Sequence, residues 1–144
     1  MARVLIVDDE APLRQLLTRI VRDAGHEADQ AETAEAALEV MAANPAAVVF
    51  CDVQMPGQGG VWLTMRLREQ FPASAMVLAT GVSTVPPAVS MRSGIVSYLL
   101  KPFGRAEVIS ALEAALAWHL QTVANGPRVE DGADRIEDWL EHFE

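Results

Sequence analysis

The chain has 144 residues, 51% of them hydrophobic, which is enough for one domain with its own core. Its single cysteine excludes an intramolecular disulfide, and no apolar run approaches the ~20 residues of a membrane span. The net charge of −9, with no cluster of basic residues and no apolar leader, argues against nucleic-acid binding and membrane insertion. We therefore expect a soluble, cytoplasmic protein.

Short apolar runs alternate with amphipathic segments along the chain. The first half is predicted to contain strands at 4–7, 26–31 and 48–51 and helices at 11–24 and 33–44. The second half is predicted to contain strands at 76–80 and 95–100 and helices at 61–70, 83–93 and 105–124. Five strands alternating with five helices indicate a parallel sheet covered on both faces.

Two helices have hydrophobic residues whose spacing predicts a buried face. In the helix at 61–70 we expect Val61 and Met65 to point inward, with Leu67 or Trp62. The last helix carries a longer stripe, formed by Val108, Ile109, Leu112, Ala115, Leu116, His119, Leu120 and Val123. This stripe continues past the length needed to cover a sheet, which favours a contact beyond the domain.

Polar residues follow four of the predicted strands. They are Asp8 and Asp9 after the first, Asp52 after the third, Thr80 at the end of the fourth and Lys101 after the fifth. The carboxyl ends of parallel strands share one edge of a sheet, so these groups should meet there. At an effective dielectric of ~20, two carboxylates 4 Å apart repel by ~4 kcal/mol. A cation relieves this repulsion, and oxygen ligands without His or Cys favour Mg²⁺.

Lys101 is the only lysine in the chain, against ten arginines. A lysine ammonium, a hydroxyl and Mg²⁺ together suit the binding of a phosphoryl group, with Asp52 as the nucleophile. The simpler interpretation is that Asp52 caps a turn and Asp8-Asp9 cap the first helix. Three acids gathered around the only lysine favour the functional interpretation.

The ordered motifs resemble one family. They are Asp8-Asp9, Asp52 followed by Met55-Pro56 and Gly60, Thr80, and Lys101-Pro102-Phe103. This set resembles the receiver domain of two-component response regulators, from residue 3 to about 120. The resemblance implies an open, doubly wound, flavodoxin-like α/β sheet with strand order 2-1-3-4-5 and helices on both faces.

The resemblance also implies roles for single residues. Asp52 would accept a phosphoryl group from a sensor histidine kinase or a phosphotransfer protein. Asp9 and Asp52 would bind Mg²⁺ directly, Asp8 largely through water and Gln54 through its backbone carbonyl. The chain would then be a signalling phosphoacceptor that catalyses its own phosphorylation and dephosphorylation, rather than an enzyme acting on other substrates.

Three further residues match the switch of such domains. Thr80 matches the hydroxyl that moves to the phosphoryl oxygens, and Lys101 matches the lysine that pairs with Asp52. Tyr98 matches the aromatic residue that turns inward as Thr80 moves. A phosphate-independent interaction module is one alternative. An Mg²⁺-dependent aspartyl phosphatase is another, although it needs an acid where Gln54 stands.

The domain is expected to span residues 1–124, followed by an acidic extension at 125–144. Residues 127–144 hold seven acids and two arginines, a net charge of −5. Apolar residues in this segment repeat at helical spacing, and they are Ile136, Trp139, Leu140 and Phe143. Docking on its own domain, docking on a target and the start of a linker remain open. Homodimerisation through the fifth predicted helix and this extension is the preferred interpretation.

Overall fold

The structure is a computed structural model that describes residues 1–55, 57, 59–81 and 94–125, apart from the side chain of Val61. The strands are β1 (Arg3–Val7), β2 (Glu27–Ala31), β3 (Val48–Asp52), β4 (Ala75–Thr80) and β5 (Ile95–Leu100). The helices are α1 (Ala11–Asp23), α2 (Ala34–Ala43), α3 (Gly60–Gln70) and α4 (Arg105–Asn125). Helix α4 is the fifth helix predicted from the sequence. The predicted helix at 83–93 and the extension at 126–144 lie outside the described residues.

The five strands form one parallel sheet in the order β2-β1-β3-β4-β5. This order confirms the flavodoxin-like topology expected from the sequence. Strand β3 lies at the centre, and all five of its residues are buried. Asp52 pairs with Ala79 of β4, and Thr80 pairs with Leu100 of β5, so the ends of β3, β4 and β5 lie side by side.

The core has two halves, one on each face of the sheet. Alternate residues of β3 face opposite ways: Val49 and Cys51 pack with α2 and α3, whereas Val48 and Phe50 pack with α1 and α4. This alternation follows from the two-residue period of a strand. Because both faces are covered, the edges of the sheet are where a ligand can reach the strand ends.

Local sequence signals explain where several helices begin and end. Pro12 occupies the first turn of α1, where its missing N–H costs nothing, and Gly25 follows the helix with a φ of 95°. Thr33 caps α2 by accepting a hydrogen bond from the amide of Ala36 at 3.0 Å. These boundaries confirm the sequence-based predictions to within one or two residues.

The buried face predicted for α3 was partly wrong. Leu63, Thr64 and Leu67 are the buried residues, whereas Met65 and Trp62 are only partly buried. The side chain of Val61 lies outside the description. The five hydrophobic residues of α3 are not confined to one side of the helix, so their spacing does not select a single inward face.

The stripe predicted along α4 divides into two parts. Its first half, which includes Val108, Leu112 and Ala115, covers the sheet. Its second half leaves Leu120 and Val123 exposed. None of the described helices is both long enough and apolar enough to cross a membrane.

Gly60, the first residue of α3, brings this helix against the strand that carries Asp52. A Cβ at Gly60 would collide with the carbonyl oxygen of Asp52 and the Cα of Val53. The amide of Gly60 donates to the carbonyl of Val53 at 3.2 Å. The absence of a side chain at this position therefore lets α3 begin directly beneath the carboxyl end of β3.

Candidate functional site

Asp52 is a buried carboxylate at the carboxyl end of β3, with 3% of its surface exposed. Its Oδ1 accepts a hydrogen bond from the amide of Gln54 at 3.1 Å, and its Oδ2 lies 3.2 Å from Lys101 Nζ. Burial raises the pKa of Asp52 to about 6, although the Gln54 amide and the Lys101 charge both lower it. The Gln54 amide and Lys101 hold the carboxylate in place, and its raised pKa makes it more basic than an ordinary aspartate.

Asp8 is the second buried acid, at 1% exposure. Its Oδ1 accepts from the amide of Glu10 at 2.9 Å, and its carbonyl accepts from the Arg14 guanidinium at 2.8 Å. Among the described residues no donor hydrogen-bonds its Oδ2, which lies 3.8 Å from Lys101 Nζ. Burial raises the pKa of Asp8, and the charges of Glu10 and Asp9 add to this effect.

Four acids converge at this edge of the sheet. Asp8, Asp9, Glu10 and Asp52 each place one carboxylate oxygen within 4.8 Å of the others. Asp9 and Glu10 are exposed, so the cluster opens to solvent on one side. An all-oxygen set containing a buried oxygen without a donor fits Mg²⁺, which prefers carboxylates and keeps several waters.

The structure adds one residue to the cluster of acids predicted from the sequence. Asp8, Asp9 and Asp52 come together as predicted, and Glu10 joins them. The sequence contained the signal for Glu10, because it continues the acidic run Asp8-Asp9-Glu10. Gln54, two residues beyond Asp52, is exposed, and its backbone amide donates a hydrogen bond to the Asp52 carboxylate.

Lys101 is the cation of the site. Besides Asp52 and Asp8, its Nζ lies 3.7 Å from Glu10 Oε1. Burial lowers the pKa of Lys101, but the surrounding acids outweigh this effect and the pKa is raised, so the ammonium stays charged. The amide of Lys101 donates to the carbonyl of Thr80 at 2.9 Å, which anchors it to β4.

Two of the three predicted switch residues, Thr80 and Tyr98, lie on neighbouring strands. Thr80 is buried at the end of β4, one strand from Asp52. Tyr98 lies on β5, where its half-buried ring packs against the core cluster between the sheet and helices α2 and α3. Burial raises the pKa of the Tyr98 phenol. The predicted tail residues Ile136, Trp139, Leu140 and Phe143 lie outside the described residues.

Fold and site together define an open parallel α/β domain with an acidic, lysine-containing site at its carboxyl edge. Residues 4–113 match the family model of the response regulator receiver domain, and the chain belongs to this family. The protein is 40% identical over 103 residues to the response regulator protein FleR of Pseudomonas aeruginosa. That alignment covers 71% of this chain and 22% of FleR.

Solved structures show the same likeness. The receiver domain of NtrX from Brucella abortus shares 32% identity with a TM-score of 0.73, and the match covers 79% of this chain and 98% of that one. The response regulator TrrA from Thermotoga maritima, in complex with Mg²⁺-BeF, shares 28% identity with a TM-score of 0.71, over 81% of this chain and 100% of that one. The chain spans about a quarter of the first curated relatives, FleR and the Escherichia coli regulator NtrC.

Proposed function

We propose that this receiver domain is a phosphorylation-controlled switch in which Asp52 accepts a phosphoryl group from a sensor histidine kinase or a phosphotransfer protein. The observation that carries the proposal is the position of Asp52: it is buried, within the acid cluster, and 3.2 Å from the only lysine of the chain. A carboxylate placed there is a nucleophile beside a fixed positive charge.

The transfer of the phosphoryl group would be a displacement at phosphorus. An oxygen of the Asp52 carboxylate forms a bond to phosphorus, while the bond from phosphorus to the donor imidazole nitrogen breaks. The imidazole keeps the electron pair and takes up a proton. The acyl phosphate formed carries more negative charge than the carboxylate it replaces, so the charge around it decides whether it forms.

Metal binding is part of the proposal. Asp8, Asp9 and Asp52 would hold Mg²⁺, with the Gln54 carbonyl as a further ligand and Glu10 at the open rim. Bound there, Mg²⁺ supplies positive charge that offsets the repulsion between the carboxylates and the incoming phosphoryl oxygens. The solved structure of TrrA with Mg²⁺-BeF, and the buried Asp8 oxygen without a donor, support this assignment.

Lys101 and Thr80 would serve the phosphorylated state. The Lys101 ammonium, already shared among three acids, would pair with a phosphoryl oxygen. The Thr80 hydroxyl would move towards the phosphoryl group, with Tyr98 turning inward behind it. Tyr98 is half-buried, and phosphorylation would shift its ring towards the inward position.

The alternative functions lack a supporting observation. A phosphatase with an aspartyl nucleophile needs a second acid two residues later, and Gln54 stands there. A phosphate-independent module would have no use for a buried carboxylate whose burial carries an energetic cost. The complete acid cluster with Lys101 therefore favours the phosphoacceptor.

The proposal is tested with acetyl phosphate and Mg²⁺, followed by intact mass spectrometry. We expect a covalent adduct of about 80 Da, the mass of one phosphoryl group, that is absent in Asp52→Asn. Glu32→Gln, which neutralises an exposed acid outside the cluster, is the matched control and should keep the adduct. An adduct that persists in Asp52→Asn, or no adduct together with no Mg²⁺ binding, would contradict the proposal.

A further inference from the structure

A groove lies at the opposite edge of the sheet, where the strands begin. Its volume is about 670 Å³. Its floor is formed by residues that precede strands, such as His26, Ala47 and Ser74, and its wall by Leu116 and Leu120 of α4. The groove is therefore separated from the acidic site by the full length of the strands.

The groove is apolar and partly uncovered. Leu120 is 66% exposed and Met1 is 91% exposed, and both line it. Val123, one turn further along α4, is 62% exposed. Three of the five large hydrophobic residues exposed in the described part of the chain thus lie at this end. Exposed apolar residues concentrated in one place mark a surface that is covered by another element.

The charge of the groove contrasts with the rest of the chain. Among the described residues that line it none is acidic, although the whole sequence has 20 acids. Arg3 lines the groove and is paired with Glu27 at 2.9 Å and Asp29 at 2.8 Å. His26 Nδ1 accepts a hydrogen bond from the amide of Ala2 at 3.1 Å. The lining therefore suits an occupant with one apolar face, and no acidic side chain that lines it would repel an acidic segment.

The walls of the groove are fixed by hydrogen bonds. Ser74 Oγ donates to the carbonyl of Ala46 at 2.6 Å, and His119 Nδ1 lies 2.7 Å from the carbonyl of Ala73. The His119 contact ties α4 to the segment just before β4. A groove whose walls are held in this way exists before its occupant arrives, which lowers the entropic cost of binding.

We propose that residues 136–143 of the same chain dock in this groove as a helix, with Ile136, Trp139, Leu140 and Phe143 against its apolar lining. The acidic residues of the segment would then face solvent. The segment belongs to the stretch 127–144 with seven acids and two arginines, and no acidic side chain that lines the groove would oppose it. A helix of this length is marginal alone in water, so the segment would need a surface of this kind to become helical.

The chain length permits this arrangement. Helix α4 ends at Asn125, and Leu120 lies five residues before that end, about 7.5 Å along the helix axis. Eleven steps along the chain separate Asn125 from Ile136, and these can span at most about 36–40 Å. Gly126-Pro127 stands directly after α4, where a reversal of direction is required. The segment can therefore turn back and reach the groove from its own domain.

Hydrogen exchange of the full chain, followed by mass spectrometry, tests the proposal. We expect amides at 136–143 to exchange at least tenfold more slowly than an unstructured segment would. Leu120→Glu places a charge in the groove at an exposed position and should raise the exchange rate of these amides about tenfold. Gln121→Glu, at an exposed neighbouring position outside the groove, adds the same charge and should leave the rate unchanged.

A second variant tests whether the segment at 136–143 occupies the groove. Trp139→Ser should release the segment and shift the NMR amide signals of Ala47 and Ala73, whereas Glu141→Ser, on the opposite helix face, should shift neither. Unprotected amides at 136–143, or protection unaffected by Leu120→Glu, would overturn the proposal. Protection that depends on protein concentration, with a dimer in sedimentation, would overturn docking within one chain and assign the groove to a second copy.

Discussion

The two edges of the sheet differ in whether their buried polar groups have hydrogen-bond partners. At the amino edge, Ser74 Oγ and His119 Nδ1 are each engaged with a backbone carbonyl. At the carboxyl edge, Asp8 and Asp52 are buried with raised pKa values, and Asp8 Oδ2 has no hydrogen-bond donor among the described residues. These two side chains of the amino edge have hydrogen-bond partners. At the carboxyl edge, the contacts of Asp8 and Asp52 offset only part of the cost of burying them.

This difference indicates which edge of the sheet holds the reactive groups. A buried carboxylate that lacks full compensation costs stability, and it persists at sites where a ligand or a reaction uses it. Among the residues that the structure describes, the amino edge shows no such cost, and its exposed leucine and methionine suit packing rather than chemistry. Substitutions at the carboxyl edge should therefore change phosphorylation strongly, and substitutions at the amino edge should change only stability or docking.

The largest expected effect comes from removing the cation of the carboxyl edge. Lys101→Ala should slow phosphorylation by acetyl phosphate about 10²–10³-fold, because a preorganised positive group no longer offsets the charge of the phosphoryl oxygens. The rate is measured from the time course of the adduct by mass spectrometry. Arg105→Ala is the matched control, since Arg105 is an exposed cation four residues away that pairs with Asp23 outside the site. Equal rates in the Lys101→Ala variant and the wild type would refute this role.

The second effect concerns pH in the metal-free protein. The folded-state pKa of Asp52 is about 6, above the ordinary value of 3.8, so the native state holds this proton more tightly than the unfolded chain does. Its contribution to stability is therefore complete below pH ~4 and is lost as the pH rises through about 6, on the order of 2–3 kcal/mol. Urea unfolding with EDTA should show Asp52→Asn gaining stability relative to wild type over this range. A constant difference between the two proteins would contradict the raised pKa.

Mg²⁺ should stabilise the wild type at neutral pH by a similar amount. At a free concentration 100 times the dissociation constant, a ligand that binds only the folded state adds about 2.7 kcal/mol to the free energy of unfolding. Thermal unfolding with and without MgCl₂ measures the shift. Asp9→Asn, which changes an exposed member of the cluster, should reduce it, whereas Glu32→Gln should not. The same shift in both variants would mean that the ion binds elsewhere.

The smallest effect belongs to the amino edge. Ser74→Ala removes the buried hydrogen bond to the carbonyl of Ala46 and should lower the free energy of unfolding by about 1 kcal/mol. The phosphorylation rate should stay unchanged, because the site lies at the other end of the strands. Ser110→Ala, at an exposed position of α4, is the control and should have little effect on either measurement. A slower phosphorylation in Ser74→Ala would show that the two edges are coupled.

The sequence was sufficient to predict the sheet and most of the site. The strand order was implied by the resemblance to receiver domains, and the meeting of Asp8, Asp52 and Lys101 followed from apolar runs that end in charged residues. Even β2 was predicted, from its place between two helices, although its residues favour a strand weakly. It forms nonetheless as an edge strand because it pairs with β1 and buries Ala28 and Ala31.

Other features depend on three-dimensional packing that local sequence does not encode. The inward face of α3 was assigned to Val61 and Met65 with Leu67 or Trp62. Leu67 is buried, but so are Leu63 and Thr64, because packing against neighbouring elements decides which side of this helix faces the core. The groove at the amino edge is formed by segments distant in the sequence, such as Ala47 and Leu120. No single segment of the sequence therefore predicts this groove.

Cys51, the residue before Asp52, offers a practical reporter of folding. It is the only cysteine of the chain, it is 1% exposed, and burial raises the pKa of its thiol. Thiol reagents attack the thiolate, so Cys51 should react only when the centre of the sheet opens. The rate of labelling would then report how fast the strand that carries Asp52 becomes accessible. A second cysteine introduced on the surface could be labelled selectively in the native protein, with no substitution of Cys51 required.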